Sequence, residues 1–233
     1  MDEASNLSVD IQLADKAFID LRNLGTFLLE SDAENRWFAP LLVHLIQNTI
    51  REYQHLKIGY AKSLPFLAWG CRNMLELNII TQHVLKSERN AKDFIDDRLN
   101  DALQFFESFK TWSEFADPGS KAPALDETIS GIRKEIEKDG VTRTSYLKIR
   151  DLADGLGLAK EYAHLNKVTS KLIHPTAWSV LSMGAEGELS MLKPIFFHAG
   201  VRHGIELASC LHKHVQECGS DPKPKLVEDN SAL

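Results

Sequence analysis

The chain has 233 residues, 43% of them hydrophobic, and a formal net charge of −6. That is enough apolar sequence for one sizeable core, and a content of only 13 glycines and 8 prolines is typical of a helical rather than a loop-rich protein. The negative charge excludes a broad surface for coating nucleic acid, although it does not exclude a local basic pocket.

The N-terminal half predicts four long helices. The first residues lack the basic and apolar regions of a signal peptide, so we expect a cytoplasmic protein that has no membrane partner. Apolar residues spaced by three and four predict amphipathic helices over residues 8–30, 34–62 and 89–116. Residues 64–86 are apolar on nearly every face, with Pro65 at a favourable starting position. A helix of that composition is expected at the centre of a bundle.

One face of the fourth helix is acidic, with Asp93, Asp96, Asp97 and Asp101. Carboxylates four residues apart can bind a hard divalent ion, but a Lys and an Arg intervene and no His is in register. We therefore expect a solvated face at this position and no metal.

The next predicted elements are shorter. Residues 117–124 carry Pro, Gly and Ser and form the predicted linker. A shorter helix that carries Ile129, Ile132 and Ile136 is predicted to end at Asp139-Gly140, and one short helix is predicted over residues 146–156. They are followed by a helix that starts at residue 158 and ends near His174, because the Pro that follows His174 disfavours the α conformation.

The C-terminal region predicts one more helix and a tail. The helix covers residues 194–217, and the charged, Pro-rich residues 219–233 are expected to be disordered. The sequence thus predicts one all-α domain over residues 1–218, built as a helical bundle of about seven helices.

The strongest candidate site starts from Arg72 and Glu76, which interrupt the apolar third helix. His83 lies seven residues further along, in the same narrow sector. A buried charge is costly unless it is paired, so Arg72 and Glu76 are expected to pair with each other or with a partner helix. Two interpretations stay open: an ion pair that only fixes the register of the helix, or an anion clamp oriented by Glu76.

The helix that ends at His174 supplies the other half of this candidate site. The carbonyls in the last turn of a helix favour a protonated imidazole, which makes His174 a candidate acid or base. The alternative is that His174 only caps the helix or satisfies a hydrogen bond in the core. Tyr162 and Asn166 lie on the same helix and are candidate binding residues.

The last helix carries a second polar set, His198, Arg202 and Glu206, again spaced by four. One interpretation is a surface ladder of side chains. The other is that this set packs toward Arg72, so that both sets form one polar, cationic pocket.

Motifs of the familiar enzyme classes are absent from the sequence. It has no Gly-x-Ser-x-Gly, no His-Glu-x-x-His, no Walker loop and no Glu-x-x-His. The three cysteines, Cys71, Cys210 and Cys218, form no CxxC pair and predict neither a disulfide framework nor a zinc site. We therefore expect no cofactor and no metal.

The sequence resembles a bacterial all-helical family known only as a domain of unknown function. In that family a helix with Arg-x-x-x-Glu precedes a Tyr-x-x-Leu-Ser segment that ends in a His. Arg72 and Glu76 match the first motif; Tyr162 and His174 match the second, with Asn166 in place of the Ser. The likeness spans about residues 35–182, and it implies no particular activity.

A looser likeness is to the helical-bundle ribonucleases of bacterial conflict systems, the HEPN superfamily. Those proteins often carry an Arg separated by four to six residues from a His. The nearest approach here is Arg51 and His55, with three residues between them. If it applies, this likeness implies ribonuclease activity.

Three hypotheses of function follow. The first is a non-enzymatic bundle that binds an anionic small molecule, a nucleotide or a protein partner at the Arg72, Glu76, Tyr162 and His174 region. The second is a metal-independent ribonuclease or phosphodiesterase, in which His174 deprotonates a 2′-hydroxyl and Arg72 stabilises the phosphorane charge. The third is that the apolar faces, notably residues 64–86, build a homo-oligomer.

Overall fold

The structure is a computed structural model that describes residues 3–30, 38–116, 123–141, 147–174 and 189–218. Over these ranges the chain forms eight helices and no strand. The helices are α1 (Glu3–Glu30), α2 (Ala39–Lys62), α3 (Leu64–Lys86), α4 (Glu88–Ala116), α5 (Pro123–Asp139), α6 (Ile149–Gly155), α7 (Ala159–Ile173) and α8 (Leu192–Cys218). The prediction of an all-α helical bundle is confirmed.

The chain divides into two compact units. The first contains α1, α2, α3, α6, α7 and α8; the second, Arg89–Lys148, contains α4 and α5. The predicted linker lies outside the described residues except where α5 begins at Pro123, and the predicted tail over 219–233 lies outside them entirely. A single domain over residues 1–218 stays a prediction.

Helix α3 lies at the centre of the first unit, where it packs against α2, α6, α7 and α8. Its fully buried side chains include Leu67, Met74, Leu75 and Ile79. Burial of such a side chain contributes about 1.5–3 kcal/mol. The all-round apolar composition of α3 therefore has the structural role that the sequence predicts for it.

Glycines let the helices of the first unit approach closely. A Cβ at Gly59 of α2 would lie 2.5 Å from the backbone nitrogen of Leu67 in α3, and one at Gly200 of α8 would lie 2.7 Å from a methyl of Leu56. The hydroxyl of Ser63, the single residue between α2 and α3, accepts the backbone N–H of Phe66. This cap and the small contact residues bring α2 against α3 as a tight hairpin.

In the second unit, ion pairs join α4 to α5: Arg98 to Glu135, and Arg133 to Glu107. The expectation of a solvated acidic face on α4 is wrong for Asp97, which is buried. Its Oδ2 accepts the backbone N–H of Leu147 at 2.7 Å. Helical spacing could not reveal this contact, because the partner lies fifty residues later in the chain.

Candidate functional site

Arg72 and Glu76 form an ion pair on α3. Arg72 Nε donates to Glu76 Oε1 at 2.9 Å, and the two side chains are 28% and 23% exposed. The pair is therefore half-buried and open to solvent on one side. Since the contact uses only one of the five N–H donors of the guanidinium, the terminal nitrogens remain for other partners.

Tyr162 of α7 lies beside this pair. Burial raises the pKa of its hydroxyl, and the negative charge of Glu76 raises it further, whereas a hydrogen bond from Arg72 lowers it. The hydroxyl therefore stays protonated at neutral pH and can donate a hydrogen bond. The sequence-predicted grouping of Arg72, Glu76 and Tyr162 is present in the structure.

Glu161, the neighbour of Tyr162 on α7, connects this pair to α8. Its Oε1 is ion-paired with a terminal nitrogen of Arg202 and lies 3.4 Å from Nε2 of His203. Arg202 is 54% exposed, whereas His203 is only 1% exposed. The same carboxylate thus contacts one exposed and one buried basic side chain.

His203 is the buried centre of the arrangement. Its Nδ1 lies 3.5 Å from Glu206 Oε2 and has no hydrogen-bond partner among the described residues. Burial lowers the pKa of His203, although the charges of Glu161 and Glu206 oppose this effect. The imidazole is therefore neutral at neutral pH, and it offers one N–H to two neighbouring carboxylates.

Glu206 extends the contacts back to α3. Its Oε2 accepts from Nδ2 of the fully buried Asn78 at 3.0 Å, and the side-chain oxygen of Asn78 accepts from Gln82 at 3.1 Å. Two sets of polar side chains thus lie on α3, α7 and α8, and the consecutive residues Glu161 and Tyr162 of α7 belong one to each set. We call the two sets together the polar row; its members are Arg72, Glu76, Asn78, Gln82, Glu161, Tyr162, Arg202, His203 and Glu206.

The charge of the polar row differs from the expected cationic pocket. Its two arginines and three glutamates, with His203 neutral, leave a net charge of −1. Of the second polar set, Arg202 contacts the neighbour of Tyr162 on α7, and Glu206 contacts Asn78 of α3. The positive charge of Arg202 is offset by Glu161, which sequence spacing does not reveal.

Three other predicted residues lie around the row. His83 is seven residues beyond Glu76 on α3, about 10 Å along the helix axis. Asn166 is half-buried one turn after Tyr162, with its side-chain oxygen 3.5 Å from the Ser170 hydroxyl. His198 is exposed one turn before Arg202. Asn166 and His198 therefore lie one turn from row members, and His83 directly follows Gln82 of the row while lying about 10 Å along α3 from Glu76.

His174 is at the end of α7, where the sequence predicts the helix to stop. It is exposed, and its backbone N–H bonds to the carbonyl of Ser170. Twelve residues separate it from Tyr162, so the two Cα atoms are about 18 Å apart along the helix axis. The structure therefore does not bring His174 next to Tyr162.

A second polar cluster joins α2 to α3. Glu52 is buried, with its side chain 5% exposed, and its Oε2 lies 3.1 Å from both His55 Nδ1 and Asn73 Nδ2. Arg51, which is exposed, lies 3.6 Å from the other carboxylate oxygen. A carboxylate on Nδ1 orients the ring and leaves Nε2 for another partner.

Aromatic rings surround this histidine. The His55 ring lies 5.2 Å from that of Phe66 and 5.3 Å from that of Trp69, which stack on each other at 5.6 Å. Trp69 is partly exposed. Helical spacing does not reveal these neighbours of His55, because α3 supplies the aromatic rings and the Asn73 amide.

Several functional candidates were not predictable from spacing as site residues. His203 follows the buried stripe of Phe196, Gly200 and Leu207 at helical spacing, which indicates a core histidine. Glu161 has no such signal. Cys71 lies close to Arg202 and Glu161, but burial raises its pKa to about 12, so its thiol is not a nucleophile at neutral pH.

In the ranges that the structure describes, no group of three or more His, Cys, Asp or Glu side chains is arranged to hold a metal ion. Similarly, none of the helices in those ranges has the length and apolar character needed to cross a membrane.

Comparison with known proteins gives a family. A match to the family described as "Family of unknown function (DUF5677)" covers residues 69–188, more than half of the chain. The chain belongs to this family. The DUF5677 match contains Arg72, Glu76 and Tyr162, whereas α8, with Arg202 and His203, lies beyond it. No curated protein and no solved structure matches the chain.

The DUF5677 match confirms the resemblance to a family known as a domain of unknown function. The likeness to HEPN ribonucleases stays a prediction.

Proposed function

We propose that this DUF5677 protein is a cytoplasmic, non-enzymatic protein that binds a small anion through Arg72 and Arg202. The observation that carries the proposal is the adjacency of Glu161 and Tyr162 on α7. One residue contacts Arg202 and the next is hydrogen-bonded by Arg72, so both arginines meet the first turn of α7. Both are partly exposed, as a ligand requires.

The donor chemistry of this surface supports an anion. Each arginine has one carboxylate partner that orients it, and its guanidinium carries further N–H donors beyond that contact. Guanidinium groups match carboxylate and phosphate oxygens as bidentate donors. The protonated Tyr162 hydroxyl adds a donor between them. A phosphate group or a nucleotide phosphate suits these donors.

Isothermal titration with inorganic phosphate, pyrophosphate and AMP tests the proposal. Arg72→Gln and Arg202→Gln are each expected to weaken binding about 10-fold to 100-fold, the effect of removing hydrogen bonds from a charged group. Arg133→Gln is the matched control, because Arg133 is an exposed arginine with a glutamate partner in the other unit. Equal affinity in all four proteins, or no binding at millimolar concentrations, would contradict the proposal.

The alternative interpretation, an ion pair that only fixes the register of α3, makes a different prediction. In that case Arg72→Gln lowers the melting temperature, and no anion binds the wild type. The double change of Arg72 and Glu76 to Met separates the two effects, since it removes both charges and keeps the apolar stems. A stable double variant that has lost anion binding supports the site.

A metal-independent ribonuclease is the second candidate, and the contact between Glu52 and His55 favours it. The carboxylate holds Nδ1, so Nε2 can take the proton of a 2′-hydroxyl while that oxygen attacks phosphorus and the 5′-oxygen leaves. Arg51 would stabilise the phosphorane charge, and Phe66 with Trp69 would stack a base. Arg51 and His55 are also the nearest approach to the HEPN spacing, with three residues between them rather than four to six.

Cleavage of a fluorescent single-stranded RNA in EDTA tests this candidate. His55→Gln should abolish cleavage at an unchanged melting temperature, and Glu52→Gln should reduce it. His174→Ala is included because the sequence favours His174 as the base. If only His174→Ala abolishes cleavage, the general base is His174 of α7 and not His55. If the wild-type protein does not cleave the RNA, the ribonuclease proposal is wrong.

A homo-oligomer is a third proposal. The sequence suggested it because α3 is apolar on all sides, and those sides are packed against other helices of the same chain. An oligomer would therefore need another surface. Light scattering at micromolar concentration tests it.

A further inference from the structure

A pocket of about 290 Å³ lies between the C-terminal halves of α3 and α8, away from both arginines. Leu85 of α3, Leu156 of the turn between α6 and α7, and Cys210 of α8 supply its apolar lining. Lys86 and Lys213 are the cationic residues of the lining. The volume lies at the lower end of the range of ligand pockets, so it fits a small molecule.

The two lysines differ in how strongly they are held. Lys86 Nζ donates to the carbonyl of Gly155 at 2.9 Å, which fixes it against the turn before α7. Lys213 Nζ is 3.9 Å from Glu217 Oε1 and its side chain is highly exposed. A contact that long is a weak competitor for an incoming anion. Among the described residues that line the pocket, Glu217 is the one acidic side chain, so the two lysines outnumber it.

We propose that this pocket is a second binding site, for a small organic carboxylate with a short aliphatic chain. The carboxylate lies between Lys86 and Lys213, and the chain packs on Leu85 and Leu156. A fully inorganic anion would leave this apolar wall uncovered, whereas an uncharged chain would leave the lysines without an added partner. The site differs from the proposed anion surface, whose two arginines are not part of the lining.

The pocket is connected to the polar row by hydrogen bonds. Gln82 lines the pocket and donates to Asn78, which in turn donates to Glu206 beside His203. A ligand that contacts Gln82 therefore perturbs a series of hydrogen-bonded side chains that ends beside His203. Ligand binding in the pocket should thus change the NMR signals of the His203 imidazole.

Hexanoate is the probe, titrated by isotope-edited NMR against the full chain, with hexanamide as the uncharged control of the same length. Hexanoate should bind and shift the Gln82 side-chain amide and the His203 ring signals, and hexanamide should bind at least about 10-fold more weakly. Lys86→Gln combined with Lys213→Gln should weaken hexanoate about 10-fold or more, whereas Lys134→Gln in α5 should not. Equal binding of the two probes, or unchanged binding by the double variant, would overturn the proposal.

Cysteine alkylation gives an independent measurement of occupancy. Cys210 lines the pocket, whereas Cys218, eight residues or about two turns further along α8, does not. Bound hexanoate should slow the alkylation of Cys210 by iodoacetamide relative to Cys218, as followed by peptide mass spectrometry. An unchanged ratio at saturating hexanoate rejects the site. Arg72→Gln and Arg202→Gln should retain this protection, so failure of the proposed anion surface and failure of this pocket are distinguishable.

Discussion

Asn78 of α3 donates its side-chain amide to Glu206 of α8 at 3.0 Å, and Asn78 is fully buried. The two residues are 128 positions apart in the sequence. Because α3 and α8 pack closely, this one hydrogen bond ties the centre of the first unit to its last helix. It also fixes the carboxylate that faces His203.

Replacing Asn78 by Ala should destabilise the protein by about 1–3 kcal/mol, because it leaves the Gln82 and Glu206 groups without their buried partner. Urea denaturation measures this free energy of unfolding. Asn23→Ala on the exposed side of α1 is the control and should change stability by less than about 0.5 kcal/mol. Equal effects of the two changes would mean that the Asn78 contact contributes nothing.

His203 should make stability depend on pH. Burial lowers its pKa in the folded protein, so the unfolded chain binds more protons near its ordinary value of about 6.5. The free energy of unfolding should therefore fall as the pH drops from 7.5 to 5. His203→Gln should make this dependence shallower, whereas His198→Gln on the exposed side of α8 should not. A slope that is identical in His203→Gln and the wild type would show that His203 keeps its unfolded pKa.

Gly59 of α2 lies against the backbone of Leu67 in α3. A Cβ there would lie 2.5 Å from the Leu67 nitrogen and 2.6 Å from its Cα, and backbone atoms cannot move aside as a side chain does. Gly59→Ala should therefore cost about 1–3 kcal/mol, as overpacking does. Gly131→Ala, at an exposed site in α5 with nothing within 4 Å, should instead stabilise by about 0.5–1 kcal/mol. Thermal unfolding of both variants checks the opposite signs.

Helices were predictable from the sequence because their signals are local. Ser63 and Pro65 mark the start of α3, and the Pro after His174 marks the end of α7; the structure has both boundaries within a residue. The predicted first residues of α1 and α2 are less accurate. Helix α1 begins at Glu3 rather than near residue 8, and α2 begins at Ala39, next to Pro40, rather than at residue 34.

The candidate site was predictable only where one helix holds both partners. Arg72 and Glu76 are four residues apart on α3, so their contact follows from helix geometry. Glu161 and His203 are in contact only because α7 and α8 both pack on α3. The spacing of residues within one helix cannot show such a contact between helices. His174 shows that a shared sequence motif does not guarantee a contact. It belongs to the same motif as Tyr162 but lies about 18 Å further along the same helix.

The charge of Asp97 should contribute to the raised pKa of its neighbour Asp101 in the second unit. Burial raises the pKa of Asp101, and the charge of Asp97 raises it further. Asp97→Asn removes that charge and keeps the side-chain oxygen that accepts the Leu147 N–H. The pKa of Asp101 should therefore fall in this variant, yet stay above its usual value, because burial remains. Carbon-13 NMR titration of the Asp101 carboxyl measures the shift. Asp93→Asn, which also removes one negative charge from the same helix, is the control and should lower the pKa less. An Asp101 pKa that does not move in Asp97→Asn would show that the two carboxylates are not close enough to interact.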